Sequence, residues 1–267
     1  MASAERGSIL KHRELQVEWD TGCCSNHLSI EPPHLGWLFH QKEKAMEEKI
    51  IYKRPDGKEC RAYYVSPSAG ETAPGIVVLQ EWWGLNEQIK GVANRLAEAG
   101  YRALVPDLYR GKVTLEAAEA AHLMSKLDFG DAATQDIRGA VQYLKGSSPK
   151  VAVIGFCMGG VLSILAAVHV KESDASVCWY GIPPEQAGDT RTIKIPIQGH
   201  FALEDEHFTP AQVDALESRL KEGKVNYTFY RYQAQHGFGN EMGERHHPEA
   251  TKLAWQRSLD FLEKHIK

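Results

Sequence analysis

The sequence predicts an α/β protein on a doubly wound, mostly parallel sheet with helices on both faces. Three observations lead there. From about residue 75 onward, short apolar runs alternate with helical patterns. The runs at 75–80 and 151–154 are apolar almost throughout, as strands covered on both faces must be. Gly155, Gly159 and Gly160 frame the join between the second run and a small-residue helix pattern at 161–168. A strand that turns into a helix there bends too tightly for side chains at the flanking positions.

The elements follow in order. Residues 1–45 carry no clear period and include Pro32-Pro33. They read as an N-terminal extension, disordered or loosely docked, beside a domain spanning 46–267. Runs at 49–53 and 61–65 flank Pro55-Asp56-Gly57, a turn signal, and predict an antiparallel strand pair at the N-terminal edge. After the strand at 75–80, a helix starts near Asn86. Ile89, Val92, Ala93, Leu96 and Ala97 share one face of it, and Gly100 closes it. A strand is expected at 102–105, with helices at about 114–125 and 132–145. Strands at 176–180 and 195–199 come next. Thr209-Pro210-Ala211-Gln212 is a capping box with proline in the first turn, followed by Val213, Leu216 and Leu220 at helical spacing. The last strand is expected at 227–232 and a terminal helix at 248–264.

Bulk properties narrow the function. The chain has 267 residues, 43% hydrophobic and 25% charged, enough for one large domain plus an extension. A net charge of -4 leaves no polybasic footprint for nucleic acid. No apolar run is long enough for a membrane span. Glu5, Arg6, Lys11, Arg13 and Glu14 interrupt any secretory apolar region. The 5 cysteines are an odd number without framework spacing, which suits free thiols in a reducing, cytoplasmic setting. His246-His247 has no partner at ligand spacing, so no metal is expected. No phosphate-binding glycine loop follows a strand, so no cofactor is expected either. The expected partner is a small molecule, and the expected state a monomer or weak homodimer.

Gly155-Phe156-Cys157-Met158-Gly159 is a nucleophile elbow with Cys in place of the usual Ser. The helix N-terminus beside Cys157 favours a thiolate and, later, an oxyanion. Such a nucleophile needs a base and a group that orients the base. In α/β-hydrolases they follow in the order nucleophile, acid, histidine. Glu204, Asp205 and Glu206 lie after the strand at 195–199; Asp205 is the first choice and its two neighbours stay open. His236 lies in Gln-His-Gly-Phe-Gly, after the last strand. The loop Gln80-Glu81-Trp82-Trp83-Gly84 follows a buried strand. The N–H groups of Met158 and Trp82 are candidates for an oxyanion hole. Trp82 and Trp83 also suit the wall of an apolar pocket.

Five segments together resemble the dienelactone hydrolases (carboxymethylenebutenolidases) of the α/β-hydrolase superfamily. They are Gln80-Glu81 with Gly84, Pro106-Asp107-Leu108-Tyr109, Gly155-Phe156-Cys157-Met158-Gly159-Gly160, the Asp205 loop with Pro210, and His236-Gly237-Phe238. The resemblance covers about 47–266. It implies a Cys157–Asp205–His236 triad that hydrolyses a small carboxylic ester or lactone through a thioester. It also implies that Glu81 takes the thiol proton when substrate binds. A thioesterase or acyl transferase on the same triad is the nearest alternative, and a non-catalytic ligand-binding protein the more distant one. Two departures stand out. The family clamps a substrate carboxylate with two arginines. One corresponds to Arg110, shifted by a residue, and the other to Asn240; Arg245 substitutes only if its loop folds back. There is also an extra residue between Asp205 and Pro210, which keeps Glu206 open. The pocket mouth is therefore expected to offer Trp82, Trp83, Tyr109 and Phe238, with Arg110, to a neutral and fairly apolar acyl group.

Overall fold

The computed structural model describes residues 46–68 and 72–267. The extension at 1–45 lies outside the described residues. Eight strands form one sheet: β1 (Met46–Lys53), β2 (Glu59–Ser66), β3 (Gly75–Leu79), β4 (Arg102–Pro106), β5 (Val151–Phe156), β6 (Ala175–Trp179), β7 (Ile197–Glu204) and β8 (Tyr227–Gln235). Their order is β1-β2-β4-β3-β5-β6-β7-β8. β2 runs antiparallel to both β1 and β4, and every other pairing is parallel. This is the α/β-hydrolase arrangement, with the antiparallel pair at its N-terminal edge.

Alternation along each central strand feeds two cores. In β3, Ile76 and Val78 pack with Ile89, Val92 and Leu96 of α1 (Glu87–Glu98) and with Leu262 of α7 (Pro248–Ile266). Val77 and Leu79 point the other way, toward Val141 and Leu144 of α4 (Arg138–Lys145) and Leu162 of α5 (Met158–His169). Both faces are covered, so β3, β4 and β5 are buried along their whole length. The chain steps outward from β3 to β4, then crosses back to β5. The carboxyl ends of β3 and β5 therefore meet where the winding reverses, the point at which such sheets bind ligands.

Local signals shape the rest. Asn86 caps α1, its side chain accepting from the Ile89 N–H at 3.2 Å. Thr209 and Gln212 form the reciprocal capping box that opens α6 (Pro210–Glu222). Two elements differ from expectation. The helix expected at 132–145 begins as a short turn, α3 (Phe129–Asp131), and a π-helical stretch (Ala132–Ile137) before α4. The widened stretch carries Asp136, whose buried carboxylate lies between Arg54 and Arg110. The strand expected at 195–199 starts after Pro196 and runs on to Glu204, because β8 extends to Gln235 and pairs with it. α2 (Ala117–Lys126) lies between β4 and α3. Among the described residues, no helix is long and apolar enough to cross a membrane.

Candidate active site

Cys157 sits between β5 and α5 with φ +53° and ψ -114°. A non-glycine residue there stores strain of order 1–3 kcal/mol, which its surroundings must hold. Its N–H donates to the Trp179 carbonyl and its carbonyl accepts from Val161, both at 3.0 Å. The turn is so tight that a Cβ on Gly155 would overlap the carbonyl of Gly159. The thiol is thereby held at the head of α5.

Three side chains from three strand ends meet at this point. His236 Nε2 lies 3.2 Å from Cys157 Sγ, and His236 Nδ1 lies 2.8 Å from Asp205 Oδ2. The other Asp205 oxygen accepts from the N–H groups of His207 and Phe208, at 2.8 and 2.9 Å. Burial alone would raise the Asp205 pKa, but the His236 contact and these N–H donors outweigh it and hold the carboxyl below its usual range. With Nδ1–H donating to Asp205, Nε2 is left to accept from the thiol. Glu204 ends β7, exposed and bonded to Gln233, and Glu206 is exposed. Neither reaches the histidine.

The Cys157 thiol is pushed well above its usual pKa, first by burial and then by the neighbouring Glu81 carboxyl; the Met158 N–H works against both. The resting thiol is therefore neutral. Glu81 follows β3 and is buried. It makes no hydrogen bond to the thiol. One oxygen accepts from the Tyr180 hydroxyl at 3.1 Å and the other from the Asn240 amide at 2.6 Å. Burial raises the Glu81 pKa, and two neutral donors do not pull it back to the usual value. Asn240 is fixed in turn by the Met242 N–H on its Oδ1, at 3.0 Å. Neither Tyr180 nor Asn240 as a Glu81 partner was expected from the sequence. They lie 99 and 159 residues from Glu81, and no local pattern links them to it.

The cleft in front of the thiol has a volume of about 1080 Å³. Its walls are mostly apolar, with Trp82 and Trp83 edge-to-face at 5.0 Å on one side. Three expected pocket residues lie elsewhere. Tyr109 is buried behind the wall, its hydroxyl donating to Met158 Sδ at 3.2 Å. Phe238 is fully buried against Trp179, Tyr180 and Tyr232, where it anchors the His236 loop. Arg110 turns away and grips Asp136 with bonds of 2.8 and 2.9 Å, because a buried carboxylate must be paired. Among the described residues, Arg245 is the one lysine or arginine on the cleft lining, and the described residues form no cluster of three potential metal ligands.

Comparison with known proteins shows the family. A sequence model described as the dienelactone hydrolase family matches residues 60–266. The protein usf of Aquifex pyrophilus is 32% identical over 82% of this chain and 99% of its own length. A Saccharolobus solfataricus protein, provisionally named a carboxymethylenebutenolidase, is 29% identical over 81% of this chain and 98% of its own. A dienelactone hydrolase-like promiscuous phosphotriesterase from metagenomic libraries superimposes with a TM-score of 0.74 at 24% identity, over 84% of this chain and 100% of that one.

Proposed function

The chain belongs to the dienelactone hydrolase family, and on that premise we propose that it hydrolyses a small carboxylic ester or lactone through a thioester on Cys157. One observation carries the reading: the continuous contact from Sγ through the His236 imidazole to Asp205, opening on an apolar cleft. His236 Nε2 takes the thiol proton as sulfur attacks the carbonyl carbon. The N–H groups of Met158 and Trp82 hold the oxygen as it becomes anionic. Asp205 keeps Nδ1 protonated and steadies the imidazolium. The imidazolium then protonates the leaving alkoxide, and a thioester remains. Water attacks this thioester, giving its proton to Nε2. Sulfur departs, regains a proton, and the carboxylic acid is released. The contacts favour His236 as the base over Glu81, whose oxygens are both engaged. The free thiols Cys60, Cys157 and Cys178 suit a cytoplasmic setting.

The test is to trap the intermediate. The protein is mixed with p-nitrophenyl acetate, quenched in acid, digested and analysed by mass spectrometry. The expected result is an acetyl group on Cys157, with hydrolysis abolished in Cys157→Ala. Full activity of Cys157→Ala would sink the mechanism.

A further inference from the structure

The cleft, of about 1080 Å³, is larger than a small lactone requires. Met158, Val161 and Leu165 of α5 all line it. They stand at i, i+3 and i+7, so they form one stripe along the helix that begins beside the nucleophile. Seven residues of helix advance about 10 Å. Further apolar residues line the same cleft: Met124 at the end of α2, Phe129, and Ala187. These three are partly buried and pack against the core cluster that holds Met158, Val161 and Leu165. The stripe and these three residues line the same cleft as Cys157 and together make up its apolar arm. None of these six residues carries a charge, and Arg110 is spent on Asp136.

We propose that this arm is an acyl-chain subsite, and that the preferred substrates are esters of neutral, unbranched acids of medium chain length. The proposal rests on the reading of Cys157 as the nucleophile and adds the identity of the acyl group. The thioester carbonyl would sit at Sγ, with the chain lying along Val161 and Leu165 toward Met124. Each methylene that leaves water entirely is worth roughly a fourfold gain in binding. A stripe of about 10 Å matches the length of a medium chain and falls short of a long one. The gain should therefore rise with length and stop.

Two measurements test this. In the first, kcat/KM is measured for the p-nitrophenyl esters of acetic, butyric, octanoic and palmitic acid. Octanoate is expected to exceed acetate at least tenfold, and palmitate to gain nothing more. Met124→Trp and Ala187→Phe fill the far end of the arm. In each, the octanoate-to-acetate ratio should fall at least tenfold. A flat series in the wild type, or an unchanged ratio in both variants, overturns the subsite. In the second, binding of propanamide and octanamide to Cys157→Ala is measured by calorimetry, independently of turnover. Octanamide is expected to bind at least tenfold tighter, and equal affinities overturn the subsite. The two readings can fail separately. Turnover of acetate without any preference for octanoate removes the arm and leaves the reaction. Tighter octanamide binding without turnover of any ester keeps the arm and removes the reaction.

Discussion

Two buried carboxyls stand near one thiol, and they titrate in opposite directions. Asp205 follows β7 and Glu81 follows β3. Asp205 receives two backbone N–H groups and an imidazole able to carry charge, and its pKa is lowered. Glu81 receives a phenol and an amide, which stay neutral, and its pKa is raised. Burial raises both; the donors of Asp205 outweigh it, and those of Glu81 do not. The same side-chain chemistry thus yields one carboxyl drawn toward its charged form beside an imidazole and one pushed toward its neutral form beside a thiol.

The sharpest way to break this contrast is to neutralise the charged member. Asp205→Asn should cost about a thousandfold to ten-thousandfold in kcat, as loss of the orienting carboxylate does in other triads. Glu204→Gln and Glu206→Gln should cost less than about twofold, since neither touches His236. Steady-state kinetics of the three variants decides it. A crippled Glu206→Gln beside an active Asp205→Asn would assign the acid to the wrong residue.

Neutralising the other member should do far less to rate. Glu81→Gln keeps the shape and leaves the Cys157–His236–Asp205 contacts untouched, so kcat/KM at pH 7 should stay within about tenfold. Its main effect should appear in stability. A carboxyl with a raised pKa gives the folded state the tighter hold on the proton. The contribution of Glu81 to stability is then fully present below about pH 4.5, the ordinary value, and is lost as pH rises through the folded pKa. Glu81→Gln removes that loss. Its Tm advantage over wild type should be absent at low pH and should grow as pH rises. Asp205 works the other way: its stabilisation is present above about pH 3.8 and is lost as pH drops through its lowered pKa. Melting curves across pH 3–8 would show both signs. A Glu81→Gln protein less stable than wild type at pH 7 would mean that Glu81 is held as an anion.

The smallest expected effect comes from changing a donor. Asn240→Arg would set a cation where Glu81 now meets an amide, which should favour the ionised carboxyl. It should also add positive charge to the cleft. The preference for a carboxylate-bearing ester over its neutral twin should shift toward the anion by about tenfold, or 1.4 kcal/mol of transition-state binding. Competition between the matched pair measures this. No shift would show that residue 240 stands too far from the acyl group to matter.

Much of the fold could be read in advance because its signals are local. Apolar β3 and β5, the glycines around Cys157 and the capping box at Thr209 each lie within a few neighbouring residues. Asp205 and His236 stood out because each follows a strand, and strand ends are where such sheets place their chemistry. The acid loop itself was ambiguous, since three adjacent acids differ only in which way the chain turns them. Arg110 was misjudged for a related reason. Its partner Asp136 lies in a helical pattern 26 residues on, and nothing in that pattern marks the aspartate as buried. Tyr109 and Phe238 lie close in sequence to cleft residues, yet their rings pack into the core. The Glu81–Tyr180–Asn240 contact joins three distant loops and is a product of the assembled sheet alone.

The neutral resting thiol has a consequence for how long the protein survives. Peroxide and other oxidants attack a thiolate, and a protonated sulfur reacts far more slowly. Burial keeps Cys157 in the protonated form until His236 draws the proton away. An idle molecule should thus climb the ladder toward sulfenic and sulfinic acid slowly, with its nucleophile spared between turnovers rather than repaired after them.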